Sequence, residues 1–176
     1  MTRKIRPIRV EGNIAYVALT KGYTAIIDAS DVHLVNGQNW FSSIRLRADK
    51  TVRTVYAMSN TPRHKGKQTR LLLHRVIVGT QNGFEVDHRD GDGLNNCRAN
   101  LRLATREQNA RNRTLQSNNS SSVKGVRLNT EKTKWRASIR VCGILKNLGS
   151  YDTLDEAAEA YAKASSAMHG DFGRVS

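Results

Sequence analysis

The segment of residues 84–109 constrains the fold of this chain more than any other, because its pattern changes from strand to loop to strand to helix. Residues 84–86 are β-prone, and the DGDG run at 90–93 is rich in turn-forming residues. Residues 100–103 alternate well enough to predict a second strand. The Thr-Arg-Glu-Gln run at 105–108 matches a capping box, which predicts that a helix begins there.

Four polar side chains of this segment are spaced as a hydrolytic metal site requires. Asp87 and His88 end the first predicted strand, Asn100 begins the second, and Asn109 lies in the first turn of the predicted helix. Mg²⁺ prefers oxygen ligands and keeps several waters, so the Asp87 carboxylate and the Asn109 amide oxygen suit one divalent ion, Mg²⁺ or else Mn²⁺. A neutral imidazole with a pKa of ~6.5 suits His88 as the general base, and Asn100 is expected to brace the loop.

The adjacent positions of Asp87 and His88 set a geometric condition. Successive side chains of a regular strand point to opposite faces, so both can serve one site only where the strand ends or bulges. The Asp-Gly pair at residues 90–91 favours such an end, because this pair commonly turns the chain. A calcium-binding EF-hand loop is excluded, since the twelfth residue counted from Asp87 is Arg98 and not the required glutamate.

The charge balance indicates a polyanionic partner. Lysine and arginine number 29 against 15 aspartate and glutamate residues, for a formal net charge of +14. The basic excess lies mainly in residues 1–80 and more weakly in 117–176, while residues 81–116 are nearly neutral. This distribution suits a cleavage site between segments that bind phosphate, with a solvated basic surface as the alternative. We expect a phosphodiester polyanion as the partner of a monomer, or else of a dimer.

Other features argue against export and against a membrane partner. No apolar run is long enough to span a bilayer, and the charged N-terminus is followed by no apolar signal-peptide core. We therefore expect a cytoplasmic protein. Cys97 and Cys142 form no CxxC pair, which argues against a thiolate zinc site and predicts two free, packed thiols.

A small polar run at residues 117–122 predicts a linker between two domains. Before it we predict a hairpin with strands at residues 14–19 and 23–27, followed by a short helix at 28–35. A second pair of strands is predicted at 40–46 and 52–58, followed by a basic loop at 61–68. Residues 71–78 are too short and too apolar to classify by periodicity. The first sixty residues are expected to form a small mixed sheet.

The pattern after the linker predicts three strands and one helix. The strands are expected at residues 123–127, 134–141 and 145–149. A capping box begins at Thr153, and one face of the following helix is expected to pack on the sheet through Leu154, Ala157, Ala158, Tyr161, Ser165 and Met168. The exposed face of the sheet is expected to contact DNA as a β-ribbon through Lys124, Arg127, Arg136 or Trp135, Arg140 and Lys146. A solvated basic face is the alternative.

The stretch VDHRDGDGLNNCRANLRLATREQN at residues 86–109 resembles the HNH, or ββα-metal, motif of phage and intron homing endonucleases. The resemblance implies the same roles for the four polar residues, with asparagine as the second metal ligand where some relatives carry histidine. Residues 73–75, Leu-His-Arg, are similar to a segment that precedes the motif in these nucleases, and we expect His74 to have a packing role. The likeness covers most of residues 15–113.

Residues 121–173 resemble the ethylene-response-factor, or apetala-type, DNA-binding domain through the stretches VKGVR, KWRASIR and LGSYDTLDEAAEAYAKA. The resemblance implies that basic residues contact DNA at Lys124, Arg127 and Arg140, and it favours double-stranded DNA as the partner. Ser138 replaces a typical glutamate and Asn147 a typical tryptophan, so DNA binding is implied and the plant sequence preference is not.

The sequence therefore predicts an α+β chain. Residues 1–116 are expected to form an N-terminal mixed sheet leading into a ββα-metal HNH nuclease core, and residues 123–176 a small three-stranded antiparallel sheet packed on one helix. The predicted function is that of a metal-dependent DNA endonuclease of homing type, acting in the cytoplasm of a bacterial host if it is phage-encoded. The alternatives are a non-catalytic DNA-binding or virion-associated protein that retains the HNH fold, and a nuclease that acts on RNA.

Overall fold

The computed structural model describes residues 5–79, 81–111, 119 and 121–173. It has the predicted α+β character, with several small antiparallel sheets and few helices. The chain divides into two compact units, Met1–Thr105 and Arg106–Ser176. Within the described part of the chain, no helix is both long and apolar enough to cross a membrane.

The first unit begins with a three-stranded antiparallel sheet in the order β1-β2-β3. Its strands are β1 (Ile8–Glu11), β2 (Ile14–Ala18) and β3 (Thr24–Asp28). The predicted hairpin is confirmed, since β2 and β3 pair in antiparallel register across a 3-10 turn at Thr20–Gly22. The predicted short helix is a 3-10 turn at Ala29–Asp31 that continues into α1 (Val32–Val35).

A second three-stranded antiparallel sheet follows, in the order β4-β5-β6. Its strands are β4 (Phe41–Leu46), β5 (Val52–Asn60) and β6 (Arg70–Leu72). The expectation of one mixed sheet is therefore wrong. Each strand in this region is joined to its neighbour by a turn or loop, which favours antiparallel pairing and leaves two separate small sheets.

The apolar run at residues 71–78, which periodicity did not classify, contains both strand and helix. It completes β6 and then forms α2 (Leu73–Val78). Buried residues of the two sheets, of α1 and of α2 share one hydrophobic core, which includes Ala15, Val17, Ile27, Val35, Trp40, Leu73, Ile77 and Leu101. This core supports the hairpin that carries the candidate site, formed by β7 (Glu85–His88) and β8 (Leu101–Ala104).

The second unit contains α3 (Arg106–Arg111), a three-stranded antiparallel sheet in the order β11-β10-β9, and one long helix. The strands are β9 (Val126–Leu128), β10 (Trp135–Val141) and β11 (Ile144–Tyr151), and the helix is α4 (Leu154–His169). The predicted sheet and helix are thereby confirmed. Half of the predicted linker lies outside the described residues, but Ser121 is buried and its hydroxyl donates to the Val126 carbonyl at 2.7 Å.

Helix α4 begins at the predicted capping box. The Thr153 hydroxyl accepts a hydrogen bond from the Glu156 amide, and the Glu156 carboxylate accepts one from the Thr153 amide, each at 3.2 Å. Ala157, Tyr161 and Ser165 are buried against the sheet as expected. Met168 is 38% exposed, so its predicted place on the packed face is wrong; it lies in the last turn of α4.

The two cysteines are free, as predicted. Cys97 is partly buried, whereas Cys142 is exposed. The prediction of packing is therefore wrong for Cys142. This residue lies between β10 and β11 with a positive φ of 49°, in a turn whose side chains project into solvent.

Candidate active site

Asp87 and His88 are the last two residues of β7. Their Cα partners on β8 are Arg102 and Leu101, in a register that is continuous from Glu85 to His88. The register has no bulge at these residues, so only the end of the strand can direct both side chains to one site, and their convergence stays a prediction. The chain then turns, with the Gly91 amide donating to the His88 carbonyl at 3.0 Å.

The Asp87 carboxylate is buried in an ion pair with its cross-strand partner. Its Oδ2 atom lies 2.9 Å from Nε and 2.7 Å from Nη2 of Arg102, and both side chains are more than nine-tenths buried. The pairing on adjacent strands fixes the position of this carboxylate beside His88. Arg102 was not predicted as a site residue, because an arginine in an amphipathic strand is most simply interpreted as a solvent-facing residue.

The imidazole of His88 is buried and faces three side chains. Its Nε2 lies 3.3 Å from Oδ1 of Asn96, and its ring centroid lies 5.0 Å from that of His74 and 5.9 Å from that of Tyr56. Burial lowers the pKa of His88, against the opposing effects of the Asn96 hydrogen bond and of nearby carboxylates. The ring is therefore neutral at physiological pH, as a general base must be.

His74, the first helical turn's histidine, packs at right angles against His88. It is 6% exposed, and its ring centroid is 5.7 Å from that of Tyr56. Burial, with smaller effects of His88 and Arg75, lowers the pKa of His74 to about 3. Its Nδ1 has no hydrogen-bond partner among the described residues. The structure thus places His74 in a packed position, in line with the role expected for it.

Asn100 joins the two ends of the loop between β7 and β8. Its Nδ2 donates to Oδ1 of Asp90 at 2.9 Å and to the Asn95 carbonyl at 2.8 Å, while its Oδ1 accepts from the Asp90 amide at 3.1 Å. Burial alone would raise the pKa of Asp90, but hydrogen bonds from Asp92, Asn95 and Asn100 lower this pKa below its ordinary value. These contacts are those of a loop brace.

The same loop is attached to the first sheet. The Ile26 amide donates to the Leu94 carbonyl at 2.9 Å, and the Asn96 amide donates to the Ile26 carbonyl at 2.8 Å. Arg98 forms a two-pronged ion pair with the buried carboxylate of Asp31, at 2.9 Å from Nε to Oδ2 and 2.8 Å from Nη2 to Oδ1. The sequence contained no signal for these links, because they join segments about seventy residues apart.

The proposed metal ligands differ in where the structure places them. Asp87 belongs to the first unit, and Asn109 is the fourth residue of α3 in the second. The described residues contain no group of three or more histidine, cysteine, aspartate or glutamate side chains that could hold an ion. A carboxylate and an amide oxygen are donors that suit Mg²⁺, which keeps its remaining waters, and the contacts of Arg102 described above are with Oδ2 of Asp87. The donor set fits, and its pairing stays a prediction.

The outer face of the second sheet carries three exposed arginines. Ala137 and Ile139 of β10 are buried towards α4, so the alternate residues Arg136 and Arg140 project from the opposite face. Arg127 is paired directly with Arg136 and shares that face. The three arginines therefore share the outer face of the sheet, and their contact with DNA stays a prediction.

Two residues expected on this face lie on the other one. Trp135 alternates with Ala137 and packs against the core beneath α4. Lys146 pairs with the buried Ile139, because a bulge between Ala137 and Ser138 shifts the register of β11 by one residue. Both placements are therefore corrections to the predicted DNA-contacting set. Lys124 precedes β9 and is half-buried.

The HNH endonuclease family model matches residues 71–111, which contain α2, the β7-β8 hairpin and α3. Protein 3.8 of Escherichia phage T7 is 35% identical over 92 residues, which are 52% of this chain and 75% of that protein. The chain therefore contains an HNH endonuclease domain at residues 71–111.

A second relative is the uncharacterized HNH endonuclease L560 of Acanthamoeba polyphaga mimivirus. It is 38% identical over 109 residues, which are 58% of this chain and 56% of that protein, so the chain spans little more than half of this relative's length. No solved structure matches the chain.

Proposed function

We propose that this protein is a metal-dependent endonuclease that hydrolyses phosphodiester bonds in duplex DNA. The observation that carries the proposal is the burial of a neutral His88 at the end of β7, beside the Asp87 carboxylate and inside the stretch matched by the HNH family. A nearly neutral central segment in a chain of net charge +14 supports a phosphodiester substrate.

Each residue of the site has a task in this mechanism. His88 takes the proton from the attacking water, since its ring is neutral at physiological pH. Asp87, fixed by Arg102, and Asn109 are the residues that would hold one divalent ion, with Mg²⁺ favoured over Mn²⁺. A bound ion supplies Lewis-acid stabilisation of the scissile phosphate and of the leaving oxygen. Asn100 keeps the loop after His88 closed through its bonds to Asp90 and Asn95.

We further propose that the second unit supplies DNA affinity and that the enzyme is of homing type. Arg127, Arg136 and Arg140 form a basic outer face on a three-stranded sheet, which can enter a major groove and contact phosphates and guanine edges. The likeness of residues 121–173 to the apetala-type domain supports duplex DNA as the ligand of this face. That likeness also argues against RNA as the substrate.

The test is cleavage of supercoiled and linear DNA by the purified chain, with and without Mg²⁺. We expect nicked or linear product in Mg²⁺ and none in a chelator, and we expect His88→Ala to lower the rate by about 10²- to 10⁴-fold, the usual contribution of a general base. His33→Ala is the matched control, because His33 is exposed on α1 and its Nδ1 lies 2.7 Å from the nearby Ser30 carbonyl. Cleavage by His88→Ala at the wild-type rate would overturn the assignment, and tight binding without cleavage in Mg²⁺ or Mn²⁺ would favour the non-catalytic alternative.

A further inference from the structure

Asn96 is a fully buried asparagine whose amide group has a fixed direction. It is 0% exposed, and its Nδ2 donates to the Leu94 carbonyl at 2.9 Å. A second carbonyl, that of Gly93, lies 3.5 Å from the same nitrogen. Because two carbonyls face Nδ2, the amide cannot be turned over without placing Oδ1 against them. The atom directed at His88 is therefore Oδ1.

This direction determines which nitrogen of His88 carries its proton. An amide oxygen only accepts hydrogen bonds, so Nε2 of His88, 3.3 Å away, must be the donor. A neutral imidazole has one N–H, and the other nitrogen then carries the lone pair. The nitrogen that can take a proton from water is Nδ1.

We propose that Asn96 is a positioning residue of the nuclease, which holds His88 as the Nε2–H tautomer so that Nδ1 is the basic atom. The inference rests on the proposed function only for its effect on cleavage, since the tautomer itself is a property of the folded protein. It adds to the site a residue that neither touches substrate nor binds metal.

The surroundings of Asn96 suit this task, because its backbone is held from outside the loop. Its amide donates to Ile26 of β3 at 2.8 Å. On its N-terminal side, Gly93 approaches β5 so closely that an added Cβ would meet the Val55 carbonyl and lie 2.7 Å from the Tyr56 ring. The loop is therefore wedged between the two sheets of the first unit, and the Asn96 side chain has little freedom to leave His88.

Nitrogen-15 NMR of histidine-labelled full-length protein above pH 7.5 distinguishes the two neutral tautomers, with His88→Ala identifying the His88 signals. We expect wild-type His88 to be the Nε2–H form. Asn96→Leu removes the acceptor, and we expect it to give a mixture of tautomers and to lower kcat by about 10- to 100-fold, as loss of an orienting partner does, with little change in KM for DNA. Asn96→Asp keeps an acceptor and is expected to retain the Nε2–H form and more of the rate.

Asn95→Ala is the matched control, because Asn95 lies in the same loop and bonds to Asp90 rather than to His88. We expect it to leave the tautomer unchanged. A wild-type His88 signal from the Nδ1–H form overturns the inference, and this outcome can be observed without any variant. An unaltered tautomer in folded Asn96→Leu also overturns it. If the wild type cuts nothing while Asn96→Leu still changes the tautomer, the positioning role is supported and the nuclease function is rejected.

Discussion

At the scale of single residues, the site depends on keeping two neighbouring imidazoles uncharged. The ring centroids of His74 and His88 are 5.0 Å apart, and two positive charges at that separation in a buried site would repel strongly. The pKa of His74 is lowered to about 3, so this residue adds no charge next to the proposed base at any pH at which the protein is expected to act. His74 thereby supplies aromatic packing without electrostatic interference.

This burial makes stability depend on pH in a defined direction. The unfolded chain protonates His74 below its ordinary pKa of 6.5, whereas the folded protein does so only near 3, so stability is full above 6.5 and is lost as the pH falls towards 3. Between pH 7 and pH 5 we expect the free energy of unfolding to fall by about 2 kcal/mol more in the wild type than in His74→Phe. Urea unfolding at both pH values measures this, and equal losses in the two proteins would show that His74 is not held neutral.

Residue spacing in the sequence located Asp87, His88 and Asn100 because an HNH motif places its polar residues at regular intervals in the chain. Spacing did not indicate Asn96, since Asn95 and Asn96 are adjacent in a turn-rich loop, where asparagines are ordinary turn residues. Only the fold shows that Asn95 faces Asp90 and that Asn96 faces His88. Contacts between distant segments, such as the pair of Arg98 with Asp31, leave no local pattern to detect.

At the scale of elements, strands with clear alternation and turns with glycine were predictable, and the exceptions have physical reasons. The apolar run at residues 71–78 holds the end of β6 and the six residues of α2, and Arg75 is its one exposed residue, so neither part is long enough to show a period. The register shift in β11 was likewise hidden, because a bulge adds one residue without altering the local composition. It moved Lys146 from one face of the sheet to the other.

Close packing between an element and its neighbour can be tested with two glycines of the second unit. Gly125 and Gly143 both have positive φ, of +72° and +79°. A Cβ on Gly125 would collide with the Tyr161 ring of α4 and lie 2.5 Å from the Ser138 carbonyl, whereas nothing lies within 4 Å of one on Gly143. We expect Gly143→Ala to cost about 1 kcal/mol for its backbone strain alone, and Gly125→Ala about 3 kcal/mol because overpacking adds to it.

Chemical denaturation of the two variants measures both costs under the same conditions. Because both variants have the same kind of backbone strain, the difference between their free energies of unfolding reports how closely residue 125 approaches α4. Equal costs would mean that Tyr161 can move aside, and that the helix is held less tightly against the sheet than its buried position indicates.

At the scale of the whole molecule, cutting and binding are assigned to different units, and variants should separate them. Replacing Arg127, Arg136 and Arg140 by alanine removes the basic outer face of the second sheet. We expect weaker DNA binding and a dependence of log K on log salt that is shallower by up to about 3, since each lost phosphate contact contributes about 0.9. His88→Ala should leave both quantities unchanged while lowering the cleavage rate by about 10²- to 10⁴-fold.

A matched control removes positive charge from side chains that are already paired. Arg9 with Glu11 and Lys163 with Glu159 form exposed ion pairs at 2.8 and 2.7 Å. The double variant Arg9→Ala, Lys163→Ala lowers the net charge without touching the outer face, so we expect only a small, non-specific loss of affinity. Filter binding or fluorescence anisotropy over a salt series compares the wild type, the arginine variant and this control. If the arginine variant and the control change the salt dependence by the same amount for each charge removed, the net charge of the chain and not the sheet face accounts for DNA affinity, and the second unit must have another task.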